Sequence, residues 1–211
     1  DEQIVDLHVR VVRAFVKAMR AVDPTIKIIV EGHLDRDFST ELNKRVMKMS
    51  EIYEGVNYVD IHYYYPWTFT EFIRHGKPID SKDVDIDELW NAWAGSPLID
   101  ENGYSYLPLY TKDELMPHVR QVVLEWNCAG WSRAPEGYPV IKNLSHLKGI
   151  SAAGYLNALM RAGDRVDIAC QSMCLGRGWD LGAINYDPEN PLNFFFRSAG
   201  LSTAMYSKFH G

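Results

Sequence analysis

The chain has 211 residues, with 22 Lys and Arg against 28 Asp and Glu, and so a formal net charge of −6. An apolar fraction of 46% beside a charged fraction of 24% is that of an ordinary folded domain, which excludes disordered, collagen-like and disulfide-stapled chains. No apolar run approaches the roughly 20 residues that cross a bilayer, and the acidic balance leaves no basic stripe for a nucleic-acid backbone.

Residues 2–22 carry Ile4, Leu7, Val11, Phe15, Met19 and Val22 at intervals of three or four, with Arg10, Arg13, Lys17 and Arg20 on the other faces. This spacing predicts an amphipathic helix, ended by Asp23-Pro24. It opens without a capping segment, as though its start lay upstream, and DEQIVDLHVRVV has neither the basic leader nor the apolar core of a signal peptide. The β-branched run Ile26–Val30, closed by Glu31-Gly32, predicts a buried strand.

The unit recurs. A helix is expected over about 38–53, with Phe38, Leu42, Val46, Met49 and Tyr53 on one face, followed by a strand from Val56 to Tyr64. An irregular segment, 65–110, holds Asp80, Asp83, Asp85, Asp87 and Glu88. It lacks the glycine and terminal glutamate of an EF-hand loop, so a solvated helix start is preferred to a calcium site. Then come a strand over Val119–Trp126, a helix near 144–162, a strand over Arg165–Cys170, and a last helix within 191–208 marked by Leu192, Phe195, Phe196 and Leu201. The three cysteines, Cys128, Cys170 and Cys174, form no CxxC pair and read as buried thiols, the last two on one face of a strand.

Strands alternating with helices predict a parallel sheet with right-handed crossovers. No helix opens on a GxGxxG or P-loop, so no dinucleotide or nucleotide phosphate site is indicated. A small doubly wound sheet and half of a (β/α)8 TIM barrel both fit four such units. Polar and aromatic residues gather where each strand finishes: Glu31-Gly32-His33, His62 to Tyr65, Glu125-Trp126-Asn127 and Gln171-Ser172. A barrel collects its active site on that rim, and a whole barrel takes about 250 residues. The half barrel is therefore the preferred α/β architecture.

Glu125 is the strongest chemical candidate, a carboxylate at the mouth of the apolar run Val122-Val123-Leu124, with Asn127 placed to orient it. His62 and Tyr64 share one face of their strand by the period of two, and Tyr63 and Tyr65 take the other. An imidazole and a phenol there suit a carboxylate or a sugar hydroxyl. Both could equally be packing residues in an aromatic core. Trp67, Trp90, Trp93, Trp131 and Trp179 fall after strands; such rings suit apolar sugar faces as well as packing. Trp131, after the Glu125 strand, is grouped with His62, Tyr64 and Asn127 as a substrate-binding candidate. Glu31 is a weaker second acid, since nothing beside it fixes its orientation.

The stretch Val123-Leu124-Glu125-Trp126-Asn127 resembles the Asp-Glu-Trp-Asn block that carries the nucleophile in α-L-arabinofuranosidases of glycoside hydrolase family 51. Lys17–Pro24 looks like that family's helix before strand five, and Val59–Tyr64 is similar to its strand-six segment, which ends in a histidine and a tyrosine one residue apart. Tyr155–Arg161 with Asp164–Cys170 resembles the passage from helix seven to strand eight. The resemblance implies that residues 1–211 are the C-terminal half of the catalytic barrel, about strands five to eight, with an N-terminal half before it and a β-sandwich after it. It implies a retaining hydrolase in which Glu125 attacks the anomeric carbon, while a second glutamate, upstream of Asp1, serves as acid and then base. The substrate would be an arabinose-containing oligosaccharide or polysaccharide, with no metal or organic cofactor. The full-length protein is a candidate homo-oligomer.

The match has departures. Leu124 replaces the aspartate before the nucleophile, Met173 stands where the family has a substrate-binding glutamine, and Glu31-Gly32-His33 replaces small residues. A retaining barrel hydrolase for another glycoside, such as a xyloside, and a non-catalytic carbohydrate-binding barrel are the alternatives. A half barrel by itself leaves strand edges unpaired, so the isolated segment is expected to be insoluble or oligomeric.

Overall fold

The computed structural model describes residues 2–32, 55–64, 72–80, 83–95, 117–128, 146–176 and 182–209. In chain order the elements are α1 (Glu2–Val22), β1 (Ile29–Glu31), β2 (Tyr58–Tyr64), β3 (Phe72–Arg74), β4 (Lys77–Ile79) and α2 (Ile86–Gly95). They continue with β5 (Arg120–Asn127), α3 (His146–Ala162), β6 (Val166–Gln171), β7 (Ile184–Tyr186), β8 (Phe194–Phe196) and α4 (Ser198–Phe209). The helix expected over 38–53 lies outside the described residues. No helix among the described residues is long and apolar enough to cross a membrane.

One sheet has the order β1-β2-β5-β6. β1 and β2 are parallel, with Ile29 opposite Tyr58 and Glu31 opposite Asp60. Each further strand is added on the same side, the progression found in barrels, whereas a doubly wound sheet reverses at a switch point. β3 with β4 and β7 with β8 form separate antiparallel hairpins.

The chain divides into two compact units. The first comprises residues 1–62, 108–124 and 163–169. Its core is β-branched: Val30, Val56, Val59, Ile61, Val119, Val122 and Val123 are all buried, with Val9 of α1. Successive buried residues such as Val122 and Val123 mark a strand covered on both faces, as parallel sheets are. The guanidinium of Arg20 donates to the Gly55 carbonyl at 2.8 Å and to Asn57 Oδ1 at 3.0 Å, and that same oxygen accepts the Ile28 N–H at 2.9 Å. A Cβ on Gly55 would lie 2.4 Å from Val16 Cγ1, so the close approach of α1 requires glycine there. Arg120, at the start of β5, pairs with Asp167 and donates to the Asp164 carbonyl at 2.7 Å.

The apolar stripe of α1 does not form a core. Leu7 is 54% and Phe15 64% exposed, and the stripe lines an open cavity of about 350 Å³ against Ile28, Ile29 and Glu31. Periodicity identifies an apolar face; what covers it depends on the rest of the structure.

The second unit comprises residues 63–107, 125–162 and 170–211. Here α3 packs on α4 through small residues. A Cβ on Gly149 would meet the Ser198 carbonyl at 3.0 Å, and the Ser202 hydroxyl donates to the Gly149 carbonyl at 2.7 Å. The Tyr206 hydroxyl lies 2.8 Å from Asn157 Oδ1. Trp126, Leu147, Ala152, Tyr155 and Ala158 are buried. The Tyr155 ring meets Tyr63 edge-on at 5.5 Å and Trp126 at 5.8 Å.

Three expectations need correction. Phe195 and Phe196 belong to β8, paired with β7, and the last helix begins only at Ser198; three consecutive aromatics favour a pleated ladder over a helix. The segment 65–110 is not wholly irregular. It holds the β3–β4 hairpin, turned by His75 and Gly76 at positive φ, and it holds α2. Finally, Cys170 and Cys174 are exposed: Cys170 lies on β6, which ends the sheet order, and Cys174 lies beyond that strand. Only Cys128 is buried, and burial pushes its thiol up to about 12.

Candidate active site

Glu125 sits two residues before the end of β5, half-buried, and Tyr64 ends β2. The Tyr64 hydroxyl donates to Glu125 Oε2 at 2.6 Å. Burial first, and then the bonded carboxylate, push the Tyr64 phenol up to about 12, against an opposing hydrogen bond with Ser172. Tyr64 is thus a neutral donor at ordinary pH. A phenol satisfies a carboxylate oxygen without cancelling its charge, as a guanidinium would.

Asn127, two residues on, is 1% exposed. Its Nδ2 donates to the Ser172 carbonyl, and its Oδ1 accepts the Cys128 N–H at 2.8 Å. The Ser172 N–H donates in turn to the Trp126 carbonyl at 3.1 Å. These bonds tie the end of β5 to the residue that follows β6, so Asn127 braces the backbone around Glu125. Tyr63 turns to the Tyr155 ring of α3, which fits the alternation that separates it from Tyr64.

His62 belongs to the first unit. Its Nε2 lies 2.7 Å from Asp60 Oδ2, and its side chain is 43% exposed. The other carboxylate oxygen, Asp60 Oδ1, accepts the Leu124 N–H at 2.8 Å. Asp60 was absent from the sequence-derived candidates. Its signal is an aspartate between Val59 and Ile61, inside a strand otherwise built for burial. Glu31, the weaker second acid, lines the cavity beside α1. Trp90 and Trp93 fall on α2; Trp131, Trp67 and Trp179 lie outside the described residues.

The acidic segment is a helix start. Asp85 Oδ1 accepts the Asp87 N–H at 2.9 Å, and Glu88 Oε2 accepts the Asp85 N–H at 3.0 Å, a reciprocal capping box. Glu88 also holds Arg74 through both carboxylate oxygens. The Arg74 bond, with the Asp85 N–H, lowers Glu88 to about 2.

No protein-family model and no curated protein matches the chain. Solved structures do match, and the likeness is one of fold, α/β with a parallel sheet. One is the α-L-arabinofuranosidase of Thermotoga maritima in its arabinose complex, at 21% identity and a TM-score of 0.53 over 91% of this chain and 33% of that one. Another is a family 51 α-L-arabinofuranosidase from Bifidobacterium longum, at 12% identity and a TM-score of 0.64, covering 97% of this chain and 41% of that one. A further arabinofuranosidase matches at 20% identity with a TM-score of 0.53, again over 91% and 33%. The chain spans between a third and two fifths of the length of these structures.

Proposed function

We propose that the chain is the C-terminal half of a (β/α)8 catalytic barrel in a retaining glycoside hydrolase of the α-L-arabinofuranosidase kind, with Glu125 as its nucleophile. The observation that carries this reading is the Tyr64–Glu125 hydrogen bond, in which a neutral donor holds one oxygen of a strand-end carboxylate. The one-directional strand order, the likeness to arabinofuranosidase structures and the uncovered apolar face of α1 support the half-barrel reading.

In this mechanism a Glu125 oxygen attacks the anomeric carbon and the glycosidic bond breaks. The leaving oxygen takes a proton from a second glutamate supplied by the rest of the polypeptide. That residue then removes a proton from water, which hydrolyses the glycosyl ester and frees Glu125. The two carboxyls would stand roughly 5–5.5 Å apart. Tyr64 fixes the attacking carboxylate, and His62 and Trp131 contact the sugar. Asn127, first expected at the substrate, is assigned instead to bracing the strand end. The substrate is an arabinofuranosyl oligosaccharide or polysaccharide.

The test is Glu125→Ala in the full-length protein, assayed with 4-nitrophenyl α-L-arabinofuranoside and a panel of other aryl glycosides. Turnover should fall by on the order of a thousandfold or more, and azide should partly restore it by replacing the missing nucleophile. Unchanged hydrolysis by the variant would overturn the assignment; activity confined to a xyloside would redirect the specificity.

A further inference from the structure

We propose that Asp60 is a positioning residue of this site, fixing the backbone of β5 immediately before Glu125 and the imidazole of His62 with one carboxylate. The inference rests on the reading of Glu125 as nucleophile. Asp60 is 5% exposed, on a strand where Val59 and Ile61 are at 0% and 1%. An aspartate there is a poor strand former and costly to desolvate unless both oxygens are satisfied. Both are. Oδ1 accepts the Leu124 N–H at 2.8 Å, and Oδ2 lies 2.7 Å from His62 Nε2. Its backbone carbonyl also accepts the Gly32 N–H at 2.8 Å.

Each bond has a consequence for chemistry. The Leu124 peptide leads directly into Glu125, and Leu124 itself brings no polar side chain. A side-chain carboxylate bonded to its N–H sets the height at which β5 presents the next residue. On His62, a carboxylate accepts only from a protonated nitrogen, so in the neutral ring Nε2 carries the hydrogen and Nδ1 the lone pair. Asp60 therefore selects the tautomer of a ring whose side chain is 43% exposed. Valine or threonine would serve the sheet as well, but neither can do both.

The experiment uses the full-length protein carrying Asp60→Asn, with Glu125→Ala and the parent as references. Asparagine keeps an Oδ1 acceptor for the Leu124 N–H but turns an amide N–H toward His62 Nε2. The backbone bond survives while the imidazole must adopt the opposite tautomer. On 4-nitrophenyl α-L-arabinofuranoside, kcat/KM should drop by about tenfold or more, since the ring that meets the sugar then carries its hydrogen on the opposite nitrogen. Spectra of the 15N-histidine-labelled protein should show His62 protonated on Nε2 in the parent and on Nδ1 in the variant. Asp60→Ala, which loses both bonds, should fall further in kcat/KM and also in melting temperature.

A variant with kcat/KM within about twofold of the parent overturns the positioning role. An unchanged His62 tautomer overturns it whatever the activity. If Glu125→Ala retains full turnover while Asp60→Asn still flips the tautomer, the nucleophile assignment fails and the Asp60–His62 contact stands without a catalytic role.

Discussion

Glu125 and Glu88 are the same residue type in opposite employment. Glu88, at the start of α2, is exposed and clasped by the Arg74 guanidinium, and the bond that lowers it to about 2 also consumes its charge. Glu125, near the end of β5, is half-buried and meets a phenol that stays protonated to about pH 12. A cation partner makes a carboxylate structural, because its charge is already answered. A neutral donor orients one oxygen without itself cancelling the charge. The contrast separates a capping residue from a candidate nucleophile without appeal to sequence position.

The sharpest way to break this comparison is to remove each carboxylate in the full-length protein. Glu125→Ala should cost on the order of a thousandfold in kcat/KM, whereas Glu88→Ala should leave it within about twofold. Equal losses would mean that the partner's charge is no guide to function. Next in size is Tyr64→Phe, which keeps the ring but deletes the hydroxyl's bonds to Glu125 Oε2 and to Ser172. A hydrogen bond to a charged group contributes about 1.5–3 kcal/mol, so kcat should fall about ten- to a hundredfold. Retention of full kcat would show that Glu125 is oriented by other contacts.

Much of the architecture was legible, for reasons specific to particular residues. The period of three and four over 2–22 marks α1, and the apolar runs before Tyr64, Asn127 and Gln171 mark β2, β5 and β6. Local pattern suffices there because helices and buried strands impose distinct repeats. It could not say that Phe15 would lie open beside β1, because the cover of a face is not encoded in that face. Nor could spacing separate helix from hairpin for Phe194–Phe196, whose pairing with Ile184–Tyr186 is a tertiary choice. At the site, Glu125 and Tyr64 were each readable as strand-end residues, yet their 2.6 Å bond depends on the register between two strands 61 residues apart. Asp60 was in plain view as a polar intruder in a β-branched run. Only the positions of Leu124 and His62 give it a purpose.

A smaller effect sharpens the Glu88 side. Its carboxyl sits well below its ordinary 4.5, so the stabilisation it gives the start of α2 is present above about pH 4.5 and is lost as pH falls through about 2. Carboxyl 13C titration should place its midpoint near 2. Arg74→Gln should move it back up, but not fully, because the Asp85 N–H still donates to it. A midpoint unmoved by that substitution would show that the capping bond, and not the cation, holds the carboxyl low.

The finest test falls on Tyr64. Its folded value, about 12, lies above the ordinary 10, so its protonated form stabilises the fold fully below pH 10 and that contribution disappears as pH rises through about 12. The difference in absorbance near 295 nm between the parent and Tyr64→Phe should therefore show one phenolate appearing near pH 12. Burial is the larger cause and Glu125 the lesser, so Glu125→Gln should lower this midpoint only partway toward 10. A complete return to 10 would mean that the carboxylate alone holds the proton on the phenol. The pair would then be an electrostatic couple like Arg74 with Glu88, and the distinction between a neutral donor and a charge-cancelling partner would fail at the residue on which it was built.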